Sequence, residues 1–144
     1  MEISYKKVQV IIFRRIGNRV EILLLQRASD ETWQPVTGGV EEGESYLNGA
    51  TRETIEETGL TLFVKIVEGI YSFSFKNPEG HRRAGLVTEE VFAFEAPISF
   101  KPTLSQEHIN FMWVSPEEAV KKLKFENQKM AMNKFILILK FGVK

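Results

Sequence analysis

The sequence predicts a layered domain of the α/β or α+β class, built from short strands and a few helices. Apolar runs rich in β-branched residues dominate the first third of the 144-residue chain, and capped helical stretches follow. The predicted order is strands, a helix, further strands and then helices, which is typical of a mixed layered domain. The length suits one hydrophobic core, so we expect a single domain over residues 1–144.

Strands are predicted where short apolar runs are bounded by turn-forming residues. These runs lie at 8–13, 20–25, 33–37, 62–75, 87–94 and 109–114, of which 33–37 is a short piece and 62–75 is long enough for one or two strands. Gly17-Asn18 separates the first two runs, which predicts a hairpin. The segment 77–80 (NPEG) predicts a second turn.

Helices are predicted at three places. Residues 45–58 contain no proline, start at Ser45 and stop before Gly59, so a serine N-cap and a glycine stop bound them. The segment 115–118 (SPEE) has serine at the N-cap, proline next and glutamate at the third position, a capping box that opens another helix. The last helix covers 127–141, and its candidate core residues are Met130, Phe135, Ile136 and Leu139.

Composition excludes several functional classes. Nineteen basic and nineteen acidic residues give a formal net charge of zero, so no global positive field favours nucleic acid or an anionic membrane. The absence of cysteine excludes disulfide frameworks, thiolate zinc sites and cysteine nucleophiles. No segment approaches the roughly 18 consecutive apolar residues of a membrane span. We therefore expect a cytoplasmic protein without membrane or nucleic-acid partners, either a monomer or a homodimer.

Glutamates are crowded into residues 38–60, the stretch GGVEEGESYLNGATRETIEETGL. On a helix with about 100° per residue, Glu53, Glu56 and Glu57 fall within one arc. The opposite face can pack against a sheet, and it carries Leu47, Thr51, Thr54 and Thr58. Like charges at this spacing cost about a few tenths of a kcal/mol per pair. Clustered hard oxygen ligands are what Mg²⁺ or Mn²⁺ requires, whereas a merely solvated acidic helix is the alternative.

Three glycines precede this helix. Gly38, Gly39 and Gly43 permit backbone conformations that other residues resist, and they let a ligand approach the main chain closely. A loop before a helix N-terminus can direct amide groups toward an anion. The glycine segment and the clustered carboxylates together indicate a site for a metal-bridged polyphosphate.

The same stretch resembles the Nudix box, G-x5-E-x7-R-E-U-x-E-E-x-G-U, in which U is a bulky apolar residue. The matching residues are Gly38, Glu44, Arg52, Glu53, Glu56, Glu57, Gly59 and Leu60. Thr54 departs from the pattern, because it stands where an aliphatic residue is usual, and we interpret it as a packing substitution. The order of predicted elements is also similar to the Nudix fold, a mixed β-sheet sandwiched between α-helices.

The resemblance implies a hydrolase that splits a nucleoside diphosphate linked to another group, with Mg²⁺ or Mn²⁺ and water. It assigns metal binding to Glu53, Glu56 and Glu57, and it gives Arg52 the role of orienting the glutamates through an ion pair. One carboxylate must also accept the proton of the water. In the family this base is a box glutamate or a glutamate of a later loop, so Glu53 and Glu107 are the candidates, and Glu107 is also a candidate metal ligand.

Within the family, residues 33–44 and the pair Glu107-His108 resemble dihydroneopterin triphosphate pyrophosphohydrolases. That group releases pyrophosphate in folate biosynthesis and can also use dATP. The residues similar to its substrate contacts are Lys6, Arg27 and Thr37, beside Gly38. The alternatives are a Nudix hydrolase of oxidised dNTPs, dinucleoside polyphosphates or ADP-ribose, and a non-catalytic nucleotide-binding module. Such modules usually lose box glutamates, and this chain retains them.

Two further features have two interpretations each. Tyr71, Phe73 and Phe75 alternate along a predicted strand and therefore share one face, where they either stack on a purine or pterin ring or form part of the core. His108 follows the candidate base directly, and we expect it to be a structural residue rather than a ligand.

Overall fold

One seven-stranded mixed sheet and three helices form residues 4–142, the part of the chain that the computed structural model describes. The strands are β1 (Ser4–Ile16), β2 (Arg19–Arg27), β3 (Trp33–Gln34), β4 (Val36–Gly39), β5 (Lys65–Asn77), β6 (Gly85–Glu95) and β7 (His108–Val114). The helices are α1 (Tyr46–Thr58), α2 (Pro116–Lys122) and α3 (Glu126–Phe141). None of the helices in this described part is long and apolar enough to cross a membrane.

Strand β1 is the centre of the sheet. It pairs parallel with β6 along one edge, from Ser4 opposite Leu86 to Phe13 opposite Glu95. Along its other edge it pairs antiparallel first with β4 and then with β2. The order across the sheet is β3-β2-β1-β6-β5, and β7 extends it beside β2. One parallel pair among antiparallel pairs makes the sheet mixed, as predicted.

The two faces of the sheet carry separate cores. On the face covered by α1, called here the α1 face, the buried residues include Val8, Val10, Ile12, Ala50 and Leu60. On the face covered by α2 and α3, called here the α3 face, they include Ile11, Phe13, Ala119, Met132 and Phe135. Since each large apolar side chain contributes about 1.5–3 kcal/mol when fully buried, both layers stabilise the fold. The predicted arrangement of a sheet between helices is confirmed.

The ends of α1 are where the sequence places them. The Ser45 hydroxyl accepts a hydrogen bond from the Asn48 amide at 3.0 Å, which caps the first turn. Gly59 has φ of 77°, the left-handed conformation that favours glycine, and its amide donates to the Ile55 carbonyl at 2.9 Å. These two local signals fix the length of the helix that carries the clustered glutamates.

Several strands are longer than their apolar runs: β1 covers Ser4–Ile16 and β6 covers Gly85–Glu95, against runs at 8–13 and 87–94. β5 is instead shifted along the chain: it begins at Lys65 rather than at residue 62 and continues to Asn77. The short piece at 33–37 divides into β3 and β4, which pair with β2 and β1 respectively. Backbone pairing extends strands beyond their buried residues, because main-chain hydrogen bonds do not require an apolar side chain.

The prediction that Met130 is a core residue of α3 is wrong. Met130 is 46% exposed, whereas Met132 is 1% exposed and packs with Phe135 against the sheet. Two residues along a helix correspond to about 200° of rotation, so Met130 and Met132 face opposite directions. The other predictions for this helix are confirmed: Phe135 is buried, and Ile136 and Leu139 pack against the same core.

Candidate active site

Arg52 joins the glycine segment to the glutamates of α1. Its Nε and Nη2 donate to Glu44 Oε2 at 2.8 Å and Oε1 at 3.0 Å, a bidentate pair. Its Nη1 lies 3.1 Å from Glu53 Oε2 and 3.4 Å from Glu56 Oε1, and Nη2 also donates to the Gly39 carbonyl at 2.7 Å. This rigid fork holds several oxygens in one geometry. The contact is the one that an orienting role for Arg52 requires.

The Arg52–Glu44 pair is also electrostatically fixed. The hydrogen bonds from Arg52, together with the one from the Glu41 amide, lower the pKa of the Glu44 carboxyl to about 2. Reciprocally, the Glu44 carboxylate raises the pKa of Arg52 above its ordinary value. Both groups therefore remain charged over the ordinary pH range, and Glu44 anchors the guanidinium.

Gly38 permits close approach of β4 to α1. A Cβ atom at Gly38 would overlap the Cγ and carboxylate of Glu53. Its backbone φ is not positive, so space rather than backbone freedom demands glycine here, unlike at Gly43, where φ is 84°. The position of the Glu53 carboxylate is consequently defined by the backbone of β4.

We expect Gly38→Ala to displace the Glu53 carboxylate and to lower kcat by about 100-fold, because misplacement of a catalytic group by about 1 Å has an effect of that size. The added methyl group should also cost about 1–3 kcal/mol of stability. Steady-state kinetics and thermal unfolding measure the two effects. A variant with parental kcat would show that the overlap is relieved without moving Glu53.

Glu57 is buried without a counter-charge. The residue is 3% exposed, and neither of its carboxylate oxygens has a hydrogen-bond partner within the described part of the chain. Burial, followed by the neighbouring carboxylates of Glu53, Glu107 and Glu56, raises the pKa of Glu57 well above its ordinary value. A buried carboxyl in this setting requires either a proton or a cation.

His108 lies beside this carboxyl but does not neutralise it. Its Nε2 is 3.8 Å from Glu57 Oε1 and 3.2 Å from Gln34 Nε2. Burial lowers the pKa of His108, which favours the uncharged imidazole at neutral pH. The buried contact with Gln34 is consistent with the expected structural role of His108.

Two adjoining pockets share Thr37 and Glu107 in their walls, and the smaller one also includes Glu53. The smaller pocket, of about 330 Å³, is further lined by Lys7, Gly38, Gly39, Glu53, Phe75, Asn77, His81, Arg82 and Arg83. The larger pocket, of about 660 Å³, is further lined by Arg27, Ala28, Ser29, Gln34 and His108. Carboxylates and cations thus face the same cleft, which is the charge pattern that a metal-bound polyphosphate needs.

Glu107 reaches this cleft from a loop, not from α1. Its backbone carbonyl accepts a hydrogen bond from the Ala28 amide at 2.8 Å, and its own amide donates to Ser105 Oγ at 3.3 Å. The residue is exposed and directly precedes β7. Its carboxylate therefore shares the smaller pocket with Glu53 but comes from a separate part of the chain.

Most predicted substrate contacts lie in the cleft, but Lys6 does not. Lys6 is on the α1 face, with its Nζ 5.4 Å from the centre of the Tyr46 ring. Its neighbour Lys7 points to the other face and lines the smaller pocket, because side chains alternate along a strand. Arg27 lines the larger pocket while paired with Asp30 at 2.6 Å. The substrate role of Lys6 stays a prediction that this placement does not support.

Sequence reasoning missed Lys7 and Arg83. Both line the smaller pocket. One sequence signal exists for Lys7: it lies out of step with the apolar residues Val8, Val10 and Ile12, so its side chain is on the opposite face of β1. This signal becomes informative only when it is known which face of β1 packs against α1. For Arg83 no local signal existed, since the turn between β5 and β6 had no predicted orientation.

The three alternating aromatic residues lie in two different environments, the core and the smaller pocket. The ring centres of Tyr71 and Phe73 are 5.1 Å apart, and those of Phe73 and Phe75 are 6.1 Å apart, with the planes nearly stacked in both pairs. Tyr71 and Phe73 pack against the core of the α3 face. Phe75 lines the smaller pocket, so this ring alone of the three is placed there.

Comparison with known proteins identifies this arrangement. The NUDIX domain family matches residues 5–134. The chain belongs to the Nudix family. It is 34% identical to a dihydroneopterin triphosphate diphosphatase of Haemophilus influenzae over 94% of this chain and 89% of the relative. It is also 34% identical to an asymmetrical bis(5'-nucleosyl)-tetraphosphatase of Mus musculus over 85% of this chain and 87% of the relative.

Solved structures agree with this assignment. A Listeria monocytogenes protein described as a NUDIX hydrolase superimposes with a TM-score of 0.83 at 32% identity, and 94% of each chain is covered. The Nudix family and these relatives act on phosphoanhydride bonds, and the present chain is accordingly a Nudix hydrolase. The predicted fold and enzyme class are confirmed.

Nudix hydrolases generally require a divalent metal ion, and the donors present fit one. Within residues 4–142, no three His, Asp or Glu side chains form a ready-made metal group. The buried, unpartnered oxygens of Glu57 nevertheless lie beside further carboxylates, which are the hard ligands that Mg²⁺ prefers. Glu53, Glu56 and Glu57 are the residues that would hold it, with Glu107 approaching from its loop.

Proposed function

We propose that this Nudix hydrolase is a metal-dependent pyrophosphohydrolase that cleaves a nucleoside or pterin triphosphate to a monophosphate and pyrophosphate. The observation that carries the proposal is the cleft in which Glu53 and Glu107 face the cations of the same pocket. The relative from Haemophilus influenzae, a dihydroneopterin triphosphate diphosphatase, supports a substrate of this class. Mg²⁺ or Mn²⁺ as the cofactor and a cytoplasmic location belong to the same proposal.

The residues of the cleft divide the reaction among them. Arg52 keeps the Glu53 carboxylate oriented, and Gly38 allows it to lie against β4. A water molecule attacks the α-phosphorus, a new P–O bond forms, and the bridging P–O bond to the β-phosphate breaks, so its electron pair leaves with pyrophosphate. Glu107 or Glu53 accepts the proton of the water. When bound, a divalent cation supplies charge neutralisation for the phosphates and makes water more acidic.

The second candidate substrate class is a dinucleoside polyphosphate. The relative from Mus musculus is named for activity on such a molecule, and its identity to this chain is also 34%. The glutamates of the Nudix box are all present in this chain, which argues against a non-catalytic binding module. Substrate choice therefore distinguishes the candidates better than the presence of activity.

A substrate panel tests the proposal. With Mg²⁺ present, dihydroneopterin triphosphate or dATP should release pyrophosphate with kcat/KM at least about tenfold above diadenosine tetraphosphate and ADP-ribose, a difference of about 1.4 kcal/mol in transition-state binding. Separate assays for pyrophosphate and phosphate, before and after addition of pyrophosphatase, identify the bond that is cleaved. Inert triphosphates together with turnover of ADP-ribose or diadenosine tetraphosphate would overturn the substrate assignment.

A further inference from the structure

We propose that Lys7 and Arg83 form a two-cation clamp for the phosphate groups that the metal-binding glutamates do not hold, so that the enzyme favours substrates with three or more phosphates. The inference rests on the proposed function and extends it to residues outside the Nudix box. Both side chains line the smaller pocket, which also contains Glu53 and Glu107.

Lys7 lines the pocket from β1 and is held there by neighbouring strands. It stands opposite Gly39 on β4 and opposite Glu89 on β6. Its Nζ lies 3.9 Å from Glu89 Oε1, and the Glu89 carboxylate also accepts a hydrogen bond from Gln9 Nε2 at 3.0 Å. Glu89 is only 4% exposed, whereas the Lys7 side chain is 37% exposed. The buried carboxylate thus positions an ammonium group that is still accessible from the cleft.

Arg83 comes from the segment between β5 and β6 and stands over β4. A Cβ atom at Gly39 would lie 2.6 Å from its Nη1, so the glycine makes room for the guanidinium. The segment is held by two hydrogen bonds: Asn77 Nδ2 donates to the Arg83 carbonyl at 2.9 Å, and the Arg83 amide donates to His81 Nδ1 at 2.9 Å. The guanidinium also lies 5.7 Å from the ring centre of Tyr5.

The charge of Arg83 is left without a carboxylate partner. No ion pair within 4.0 Å involves it among residues 4–142, in contrast to Arg52, which contacts four glutamates. An arginine fork matches the spacing of two phosphate oxygens, and such charge-assisted hydrogen bonds are stronger than neutral ones. Arg82 adds a third positive charge to the same wall. An additional anionic group of the substrate is the partner that fits this wall.

Charge distinguishes two kinds of phosphate contact in this pocket. Phosphates next to the glutamates need a cation between them and the carboxylates, since like charges repel. Phosphates next to Lys7 and Arg83 need no metal ion. A chain of three phosphates therefore offers groups to both the glutamates and the two cations, whereas a shorter chain held at the glutamates gains less from the clamp.

Calorimetric titration with non-hydrolysable analogues tests the clamp in the presence of Mg²⁺. The full chain is titrated with α,β-methylene-dATP and with α,β-methylene-dADP. We expect wild type to bind the triphosphate analogue more tightly, and Arg83→Met and Lys7→Met each to weaken that binding by about tenfold or more. Binding of the diphosphate analogue should change by less than about threefold. Arg83→Lys, which keeps the charge but loses the fork, should lie between.

Arg19→Met is the matched control. Arg19 is an exposed arginine that lines a different pocket, together with Trp113 and Leu139, and none of the predicted site residues belongs to that pocket. The Arg19→Met variant should bind both analogues with the affinity of wild type. Thermal unfolding verifies that each variant is folded, and Arg83→Met, on a surface segment, remains informative if Lys7→Met unfolds.

The clamp is overturned if wild type does not prefer the triphosphate analogue, if Arg83→Met binds it as wild type does, or if the variant loses affinity for both analogues equally. These outcomes are distinct from failure of the proposed function. A wrong clamp leaves the release of pyrophosphate from triphosphates by wild type intact. A wrong substrate assignment abolishes that release, while the effect of phosphate number on analogue binding can still be measured.

Discussion

Glu57→Gln is expected to lower kcat by about 1,000-fold or more while leaving the fold intact. Glutamine keeps nearly the same shape as glutamate but removes the charge that a divalent cation requires. Charge stabilisation by a bound metal contributes several kcal/mol to the transition state, and each 1.36 kcal/mol corresponds to about tenfold in rate. Steady-state kinetics across a Mg²⁺ titration measure the effect. Undiminished turnover would contradict the assignment of Glu57 as a metal ligand.

The same variant should stabilise the metal-free protein at neutral pH. The pKa of Glu57 is raised in the folded state above the value of 4.5 for an unperturbed glutamate, chiefly by burial. The folded state therefore binds a proton that the unfolded state releases, so stability is lost as pH rises above about 4.5. Relative to Glu57→Gln, wild type should lose up to about 1.4 kcal/mol per pH unit between about pH 5 and 8.

Thermal unfolding of both proteins with and without Mg²⁺ completes this test. Mg²⁺ should raise the midpoint of wild type, because a ligand that binds only the folded state stabilises it, and it should raise that of Glu57→Gln much less. Glu118→Gln, at an exposed position of α2, is the control and should keep wild-type activity. A wild-type midpoint that is independent of both pH and Mg²⁺, relative to the variant, would contradict the charge assignment.

Glu107→Gln is expected to lower kcat by about 100- to 10,000-fold if its carboxylate is the general base. The carboxylate is exposed, lies on a loop and shares the pocket with Glu53, so it can approach water from a different side than the glutamates of α1. For a base, the Mg²⁺ concentration at half-maximal rate should remain nearly unchanged. For a metal ligand, the variant should need much more Mg²⁺ and recover rate as the concentration rises.

Measurement of kcat over a Mg²⁺ titration separates these two roles of Glu107. Gln106→Ala is the matched control, since Gln106 is an exposed neighbour on the same loop and lines neither pocket. It should behave as wild type at all metal concentrations. If Glu107→Gln also matches the parent throughout, Glu107 is a bystander and Glu53 becomes the candidate base.

The elements that depend on local signals could be predicted from the sequence alone. Ser45 and Gly59 bound α1, because a side-chain cap and a left-handed glycine act within one helical turn. The hairpin of β1 and β2 follows likewise from Gly17-Asn18 between two apolar runs. The spacing of the Nudix box placed Arg52 near Glu56, since residues four apart are neighbours on the surface of a helix.

Contacts between side chains of different elements could not be predicted in this way, because they depend on long-range packing. Adjacent lysines on β1 are equivalent in sequence, but the packing of α1 on one face turns Lys6 away from the cleft and Lys7 into it. The burial of Glu57 likewise depends on residues that are distant in the sequence, such as His108, whose Nε2 lies 3.8 Å from Glu57 Oε1, and no helical periodicity contains that information. Side-chain periodicity defines faces within an element, whereas long-range packing decides what each face contacts.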